Sequence, residues 1–124
     1  MKILVTGGSG LVGKSLQDIQ PYEDPHNEWV YLSSYDVDLR DFTDTYRCIS
    51  LHSPDIVVHL ASRVGGLYDN MENKEIMYVD NTLMNLNIVR ACEECKVKKF
   101  IAMLSTCVFP DGCKLPLDED DIHN

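Results

Sequence analysis

Short apolar runs separated by amphipathic stretches predict alternating β-strands and α-helices along this chain. Four runs of apolar and β-branched residues are typical of strands buried on both faces: residues 2–6, 29–33, 55–60 and 99–104. Residues 36–39 alternate acidic and apolar side chains and predict a further, very short strand. The pattern therefore predicts five strands, each preceded or followed by a turn or a helix.

Apolar residues repeating every three or four positions predict three helices between the strands. The first helix ends before Pro21 and has an inner face of Val12, Leu16 and Ile19. The second begins at Asp41, whose carboxylate can cap it, and has an inner face of Phe42, Tyr46 and Ile49. The third covers residues 72–95, with an inner face of Ile76, Val79, Leu83, Leu86, Val89 and Cys92.

Strands that alternate with helices predict an α/β fold, a Rossmann-type doubly wound parallel sheet that ends here after its fifth strand. The 124 residues fit one domain. Right-handed crossovers place a ligand cleft beyond the carboxyl ends of the strands. The segments that follow the strands are therefore the candidate site: residues 7–13, 33–34, 61–66 and 105–110.

Composition narrows the classes of partner. Twenty acidic and 11 basic side chains give a formal net charge of −9, which disfavours nucleic acid as a partner. No apolar stretch is long enough for a bilayer and no secretory leader is visible, so we expect no membrane partner and a cytoplasmic location. The odd count of five cysteines suits a reducing compartment. The Cys92–Cys95 pair lies in a predicted helix without matching Cys or His ligands, so we expect no metal.

Two nucleotide-binding motifs share the same glycines. Residues 8–15 match GxxxxGK[ST], the phosphate loop of triphosphatases, and residues 7–13 match GxxGxxG, a variant of the dinucleotide fingerprint. A triphosphatase also needs a strand that ends in a magnesium-binding acid, whereas residues 55–60 lead into Ala61 without one. The dinucleotide interpretation is therefore favoured, and the triphosphate one is the alternative.

The glycine positions and the end of the second strand indicate which dinucleotide is bound. The three glycines allow a tight turn, a close approach of pyrophosphate and close packing of helix on sheet. Ser33 and Ser34 stand where an acid usually binds a free ribose 2′-hydroxyl, and Lys14 lies near the expected ribose. Neutral serines with a cation favour a 2′-phosphate, hence NADP, while the nearby Asp36 leaves NAD as an alternative.

Several segments resemble the extended short-chain dehydrogenase/reductase family. They are the glycine start at residues 6–13, the adenine-pocket dipeptide Asp38-Leu39 and the strand-end motif at residues 59–62. More specifically, residues 64–67, 105–110, 116–119 and 122–124 resemble the GDP-L-fucose synthase family. That resemblance implies an NADP-dependent epimerase/reductase that converts GDP-4-keto-6-deoxy-D-mannose to GDP-L-fucose.

The resemblance also implies roles for individual residues. Ser105 matches the catalytic serine and Cys107 the epimerisation base, and strand alternation would place both side chains on one side. The residues expected to bind the cofactor are Gly7, Gly8, Ser9, Gly10, Leu11, Val12, Gly13, Lys14, Ser34, Asp38, Leu39, Leu60, Ala61, Ser62 and Leu104. The expected partners are a GDP-sugar substrate and a second copy of the enzyme, which the long third helix would contact.

The chain departs from the family in one respect. None of its tyrosines is followed four residues later by lysine, although the family uses a Tyr-x-x-x-Lys pair. We therefore expect residues 1–124 to be the N-terminal part of an NAD(P)-binding Rossmann domain, without the substrate domain and inactive alone. The alternatives are another nucleotide-sugar epimerase or dehydratase of the same superfamily, and a non-catalytic dinucleotide-binding module.

Overall fold

The computed structural model describes residues 1–123 and contains a parallel four-stranded sheet with helices between the strands. The strands are β1 (Lys2–Thr6), β2 (Glu28–Leu32), β3 (Ile56–His59) and β4 (Lys99–Ala102). The helices are α1 (Leu11–Glu23), α2 (Phe42–His52), α3 (Leu67–Glu72) and α4 (Lys74–Glu94). Two short 3₁₀ turns follow at Thr106–Val108 and Glu119–His123. The predicted α/β architecture is confirmed.

The strand order β2-β1-β3-β4 determines where a ligand can enter the sheet. In the centre of the sheet, Ile3 of β1 lies between Trp29 of β2 and Ile56 of β3, and all three neighbouring pairs of strands are parallel. The chain leaves β1 toward one side and, after β2, crosses to the other side. In an open α/β sheet this reversal creates a crevice at the carboxyl ends of the two central strands, here β1 and β3.

The main core lies between the sheet and the pair α2 and α4. Leu4 and Val57 of the sheet are completely buried there. Ile49 of α2 and Ile88 of α4 are at most 1% exposed. Each such side chain contributes about 1.5–3 kcal/mol by leaving water. The core therefore holds the carboxyl ends of β1 and β3 at fixed positions below the crevice.

The predicted strand at residues 36–39 is wrong, and the described sheet has four strands instead of five. Asp36 turns back and accepts hydrogen bonds from the backbone N–H and the hydroxyl of Ser33, both at 2.7 Å. Such side-chain bonds to nearby backbone compete with the ladder of a sheet. Val37 and Leu39 are nevertheless buried. The alternating pattern of residues 36–39 therefore identified two core residues correctly, although they lie in a loop.

The predicted end and inner face of α1 need correction, whereas the predicted cap of α2 is confirmed. The helix α1 continues through Pro21 to Glu23, and its Val12 and Ile19 are about half exposed instead of inward-facing. Proline costs little here because it lies in the last turn, where only one backbone hydrogen bond is lost. The Asp41 cap of α2 is confirmed, since its carboxylate accepts the Asp44 N–H at 2.8 Å.

The inner faces of α2 and α4 also differ from the prediction. In α2, Thr45 is buried beside Ile49 while Tyr46 is 40% exposed. The predicted third helix corresponds to α4, and the short α3 before it was not predicted. Among the predicted inner residues of α4, only Cys92 is buried. The buried side of α4 carries Met77, Asp80, Asn87, Ile88, Ala91 and Cys92. The exposed apolar stripe of α4 consists of Ile76, Val79, Leu83, Leu86 and Val89.

Candidate functional site

A cavity of about 670 Å³ opens at the carboxyl ends of β1, β2 and β3, where the topology predicts a ligand crevice. We call it the glycine-turn cavity, because its floor is the turn between β1 and α1. All of the predicted cofactor-binding residues line it except Gly8, Lys14 and Leu104. The predicted residues therefore meet at one cavity, and the exceptions at Gly8 and Lys14 follow from the geometry of the turn.

The glycine turn brings three backbone segments closer together than side chains would allow. Gly7 has a φ of +73°, and a Cβ there would lie 2.7 Å from the backbone nitrogen of Ala61. A Cβ at Gly13 would lie 2.5 Å from the carbonyl oxygen of Gly8. These distances are below any real Cβ contact, so glycine is required at both positions. The turn therefore holds the start of α1 directly against the ends of β1 and β3.

The first turn of α1 presents unpaired backbone donors to the cavity. Gly10 is the N-cap and supplies no side-chain cap, and the first helical hydrogen bond runs from Lys14 N–H to Gly10 O at 2.9 Å. The amides of Leu11, Val12 and Gly13 precede that bond, and these residues line the cavity. Amides at a helix N-terminus carry partial positive charge and suit a phosphate group.

Gly8 lies in the turn but outside the cavity, because it packs on β2. Its N–H donates to Leu32 O at 2.7 Å, and a Cβ would lie 2.7 Å from the Cβ of Tyr31. Gly8 therefore supports the turn from below. Lys14 is exposed on α1 and is not among the lining residues, so the cation that we expected near the ribose lies outside the cavity.

Acidic and basic side chains face each other in the wall of the cavity. The Asp38 carboxylate accepts two hydrogen bonds from the Arg40 guanidinium, at 2.9 and 2.8 Å, and these bonds lower the pKa of Asp38 to about 2. Arg40 and Arg63 both approach Asp80, at 3.7 and 2.9 Å. Our sequence interpretation missed Arg40 and Asp80. It included Arg63 only as part of the candidate segment 61–66 that follows β3, and it gave that residue no role.

A buried polar chain supports the cavity floor. His59 Nδ1 and Thr6 Oγ1 are 2.6 Å apart, and His59 Nε2 lies 2.9 Å from Asn85 Oδ1. An amide oxygen can only accept, so Nε2–H donates to Asn85 and the Thr6 hydroxyl donates to Nδ1. Burial lowers the pKa of His59, which keeps the ring neutral near pH 7. The histidine thereby links β1, β3 and α4.

The two predicted catalytic residues lie in a 3₁₀ turn instead of a strand. β4 ends at Ala102, and the Ser105 hydroxyl oxygen accepts the backbone N–H of Cys107 at 3.1 Å. Strand alternation therefore does not govern their side chains, and that argument for placing them together is wrong. Both residues are exposed, and neither lines the glycine-turn cavity, although Met103 does.

Three further features bear on function within residues 1–123: metal binding, thiol chemistry at Cys92 and membrane crossing. There the structure contains no group of three or more His, Cys, Asp or Glu side chains arranged for a metal ion. Burial raises the pKa of the Cys92 thiol to about 12, so it stays protonated under ordinary conditions. None of the described helices has the length and apolar character needed to cross a membrane.

Comparison with known proteins assigns the chain to a family. Residues 3–124 match the NAD dependent epimerase/dehydratase family. The chain belongs to this family. It is 43% identical to a GDP-L-fucose synthase of Dictyostelium discoideum and 40% identical to a probable GDP-L-fucose synthase of Drosophila melanogaster. These matches cover 98% and 99% of the chain but only 38% and 39% of the two relatives.

Solved structures give the same result. A GDP-L-fucose synthetase from Naegleria fowleri is 43% identical, with a TM-score of 0.85 over 98% of this chain and 36% of that one. A second structure of the Naegleria synthetase, bound to NADP, is 42% identical, with a TM-score of 0.83 and the same coverage of both chains. The resemblance to GDP-L-fucose synthases inferred from short motifs is thus confirmed along nearly the whole chain.

The family assignment also bears on the two glycine motifs. Membership of the NAD dependent epimerase/dehydratase family favours the dinucleotide interpretation of these glycines. The two residues specific to the phosphate-loop pattern have other positions. Lys14 lies outside the cavity, and the Ser15 hydroxyl donates to Leu11 O at 3.1 Å within α1. The match to GxxxxGK[ST] is therefore coincidental.

Proposed function

We propose that this chain is the cofactor-binding part of an NADP-dependent epimerase/reductase that converts GDP-4-keto-6-deoxy-D-mannose to GDP-L-fucose. The observation that carries the proposal is the glycine-turn cavity at the β1–β3 crevice, in a chain 42% identical to a synthetase bound to NADP. By the same argument, residues 1–124 are the N-terminal part of a Rossmann domain, and a substrate domain belongs to the complete enzyme.

The residues of the cavity fit a dinucleotide. The glycine turn leaves room that a Cβ would fill, and the amides of Leu11, Val12 and Gly13 can donate to a pyrophosphate. Asp38 and Leu39 also line the cavity and are suited to an adenine ring, which offers an amino group to a carboxylate. When bound, NADPH supplies the hydride that reduces the C4 keto group of the sugar.

Ser105 and Cys107 are the proposed catalytic residues of this chain. The Ser105 hydroxyl can hydrogen-bond the substrate oxygen, and the Cys107 thiolate can remove the protons at C3 and C5 during epimerisation. Both side chains are exposed, at the end of the segment that leaves the cavity at Met103. That exposure supports access for a sugar nucleotide.

The proposal includes a homodimer and a cytoplasmic location. The exposed apolar stripe of α4 supports the dimer, because a surface row of five large apolar residues is stabilised when a second copy covers it. Two antiparallel or parallel copies of α4 would pack their stripes against each other. All five cysteines are free thiols, which supports a reducing compartment such as the cytoplasm.

The cofactor part of the proposal is tested by titrating NADPH and NADH into the chain and following nicotinamide fluorescence. We expect saturable binding, tighter for NADPH. In Gly10→Val, the new side chain enters the cavity with only the Gly7 carbonyl nearby, at 3.2 Å from the Cβ, so the fold survives and NADPH binding is lost. Gly66→Val is the control, since nothing lies within 4 Å of its Cβ. Absence of saturable binding to the unmodified chain would refute the proposal.

A further inference from the structure

We propose that Arg63 is a phosphate-binding residue of the glycine-turn cavity, held in place by α4. The inference rests on the proposed function, because the phosphate belongs to the bound dinucleotide. Arg63 follows β3 and lines the cavity, and it lies between residues 59–62 and 64–67, two of the segments that carried the family resemblance. The argument depends on how it is anchored, on which donors it has left and on the charge of the cavity.

Two adjacent residues of α4 anchor Arg63 at both ends. Asn81 accepts the backbone N–H of Arg63 at 2.7 Å and donates to its carbonyl oxygen at 2.9 Å. One residue earlier, the Asp80 carboxylate accepts the Arg63 guanidinium at 2.9 Å. Three hydrogen bonds therefore fix the backbone and the head of a long, otherwise variable side chain. Such preorganisation is typical of a ligand-binding residue, because the loss of side-chain entropy occurs before binding.

Asp80 is a suitable anchor because it is nearly buried. Its side chain is 13% exposed, and the residue as a whole is 9% exposed. A carboxylate removed from water to that extent needs a cation and hydrogen bonds to stay charged. Arg63 provides the shorter contact, and Arg40 adds a second one at 3.7 Å. The position of the Arg63 guanidinium is thus coupled to the stability of the fold.

Of the two arginines in the cavity, Arg63 is the one with donors to spare. The Arg40 guanidinium uses Nε and Nη2 on Asp38, and its Nη1 faces Asp80. Arg63 uses only Nη1, and within the described part of the chain its Nε and Nη2 have no hydrogen-bond partner. Its side chain is 40% exposed at the cavity wall. A guanidinium with two free donors suits the oxygens of a phosphate group.

Arg63 also belongs to the segment that borders the glycine turn. It is two residues beyond Ala61, whose backbone nitrogen would lie 2.7 Å from a Cβ at Gly7. The two arginines of the cavity are balanced by Asp38 and Asp80, and the whole chain carries −9, so a dinucleotide meets no net positive field. Lys14 lies outside the cavity. Arg63, which has two unused donors, is therefore the cation that can offset the phosphate charge.

The test compares Arg63→Gln with Arg47→Gln, an exposed arginine outside the cavity that is paired with Asp44 and undergoes the same change of charge. NADPH, NADH and adenosine are titrated into each variant of the chain at several salt concentrations. We expect Arg63→Gln to weaken dinucleotide binding about 10- to 100-fold and to reduce its salt dependence, as for the loss of a charge-assisted hydrogen bond. Adenosine, which has no phosphate, should bind as before.

The two dinucleotides identify the phosphate. A loss confined to NADPH would assign Arg63 to the 2′-phosphate, and an equal loss for NADH would assign it to the pyrophosphate. If Arg63→Gln fails to fold, Arg63→Lys keeps the charge opposite Asp80 but not the planar fork, and a weakening of several-fold is expected. Unchanged dinucleotide binding in a folded variant, or an equal loss for adenosine, would overturn the inference. An unmodified chain that binds neither dinucleotide would refute the proposed function itself.

Discussion

Replacing Gly13 by alanine tests the physical basis of the site most directly. The glycine turn is folded so that the first turn of α1 rests on the backbone of Gly7 and Gly8. An added Cβ at position 13 would lie 2.5 Å from the Gly8 carbonyl oxygen and 2.6 Å from both the Gly7 carbonyl oxygen and the Gly8 Cα. All three atoms are backbone, so none can move away by a change of rotamer.

The expected loss of stability follows from two opposing effects. Ordinary contacts begin near 3.4 Å, so the neighbouring backbone must retreat by about 0.9 Å, the difference between 3.4 and 2.5 Å. Overpacking of this kind costs about 1–3 kcal/mol. Alanine favours a helix over glycine by up to about 1 kcal/mol, which offsets part of that cost. We therefore expect Gly13→Ala to lower the free energy of unfolding by about 1–2 kcal/mol.

Urea denaturation followed by circular dichroism measures this change. With a slope of about 1–3 kcal/mol per molar urea, the midpoint should fall by about 1 M. Gly66→Ala is the matched control, because nothing lies within 4 Å of its Cβ and its φ is −70°. We expect it to shift the free energy of unfolding by no more than about 0.5 kcal/mol. A Gly13→Ala variant as stable as the unmodified chain would refute the close-packing argument.

Four further predictions follow from the structure and the proposed function. Burial lowers the pKa of His59 below 6.5, so the imidazole takes up a proton in the unfolded chain at a higher pH than in the folded one. The free energy of unfolding should therefore decline as pH falls below 6.5, and His59→Gln should remove this decline. Leu86→Glu, in the exposed stripe of α4, should keep the full-length protein monomeric in light scattering; a dimer would contradict the proposed interface. In the full-length protein, Cys107→Ser should suppress solvent deuterium uptake at C3 and C5 of the sugar, and Cys113→Ser should leave it unchanged. Without a Tyr-x-x-x-Lys pair, the 124 residues should not oxidise NADPH with GDP-4-keto-6-deoxy-D-mannose, and turnover abolished by Ser105→Ala would disprove this.

Local sequence determined the four strands of the described sheet and the position of the cavity. Continuous apolar runs such as residues 2–6 and 55–60 form buried strands, since a parallel sheet is covered on both faces. Asp41 caps α2 as predicted, because a cap depends on residues three positions apart. The glycines of the first turn identified the cavity for a similar reason. Their geometry is required locally, whatever the rest of the chain does.

Tertiary structure decided which side of α4 is buried. Apolar residues surround most of this helix, so its periodicity does not favour one face. Asn87 donates to Leu39 O at 3.0 Å and to Arg40 O at 2.8 Å, and Asp80 pairs with Arg63. These partners are 17 to 48 residues away along the chain. Polar residues could therefore be buried on α4 only once the loops after β2 and β3 had brought their partners to it.

The same distinction holds for the charges of the cavity. From the sequence, Lys14 was the cation nearest the glycine motif, but the turn directs the start of α1 so that Lys14 faces solvent. Arg40 and Arg63 enter the cavity from two other strand ends and share Asp80. Motif spacing determines backbone geometry within one turn. The charges around a ligand depend on segments that only the folded sheet brings together.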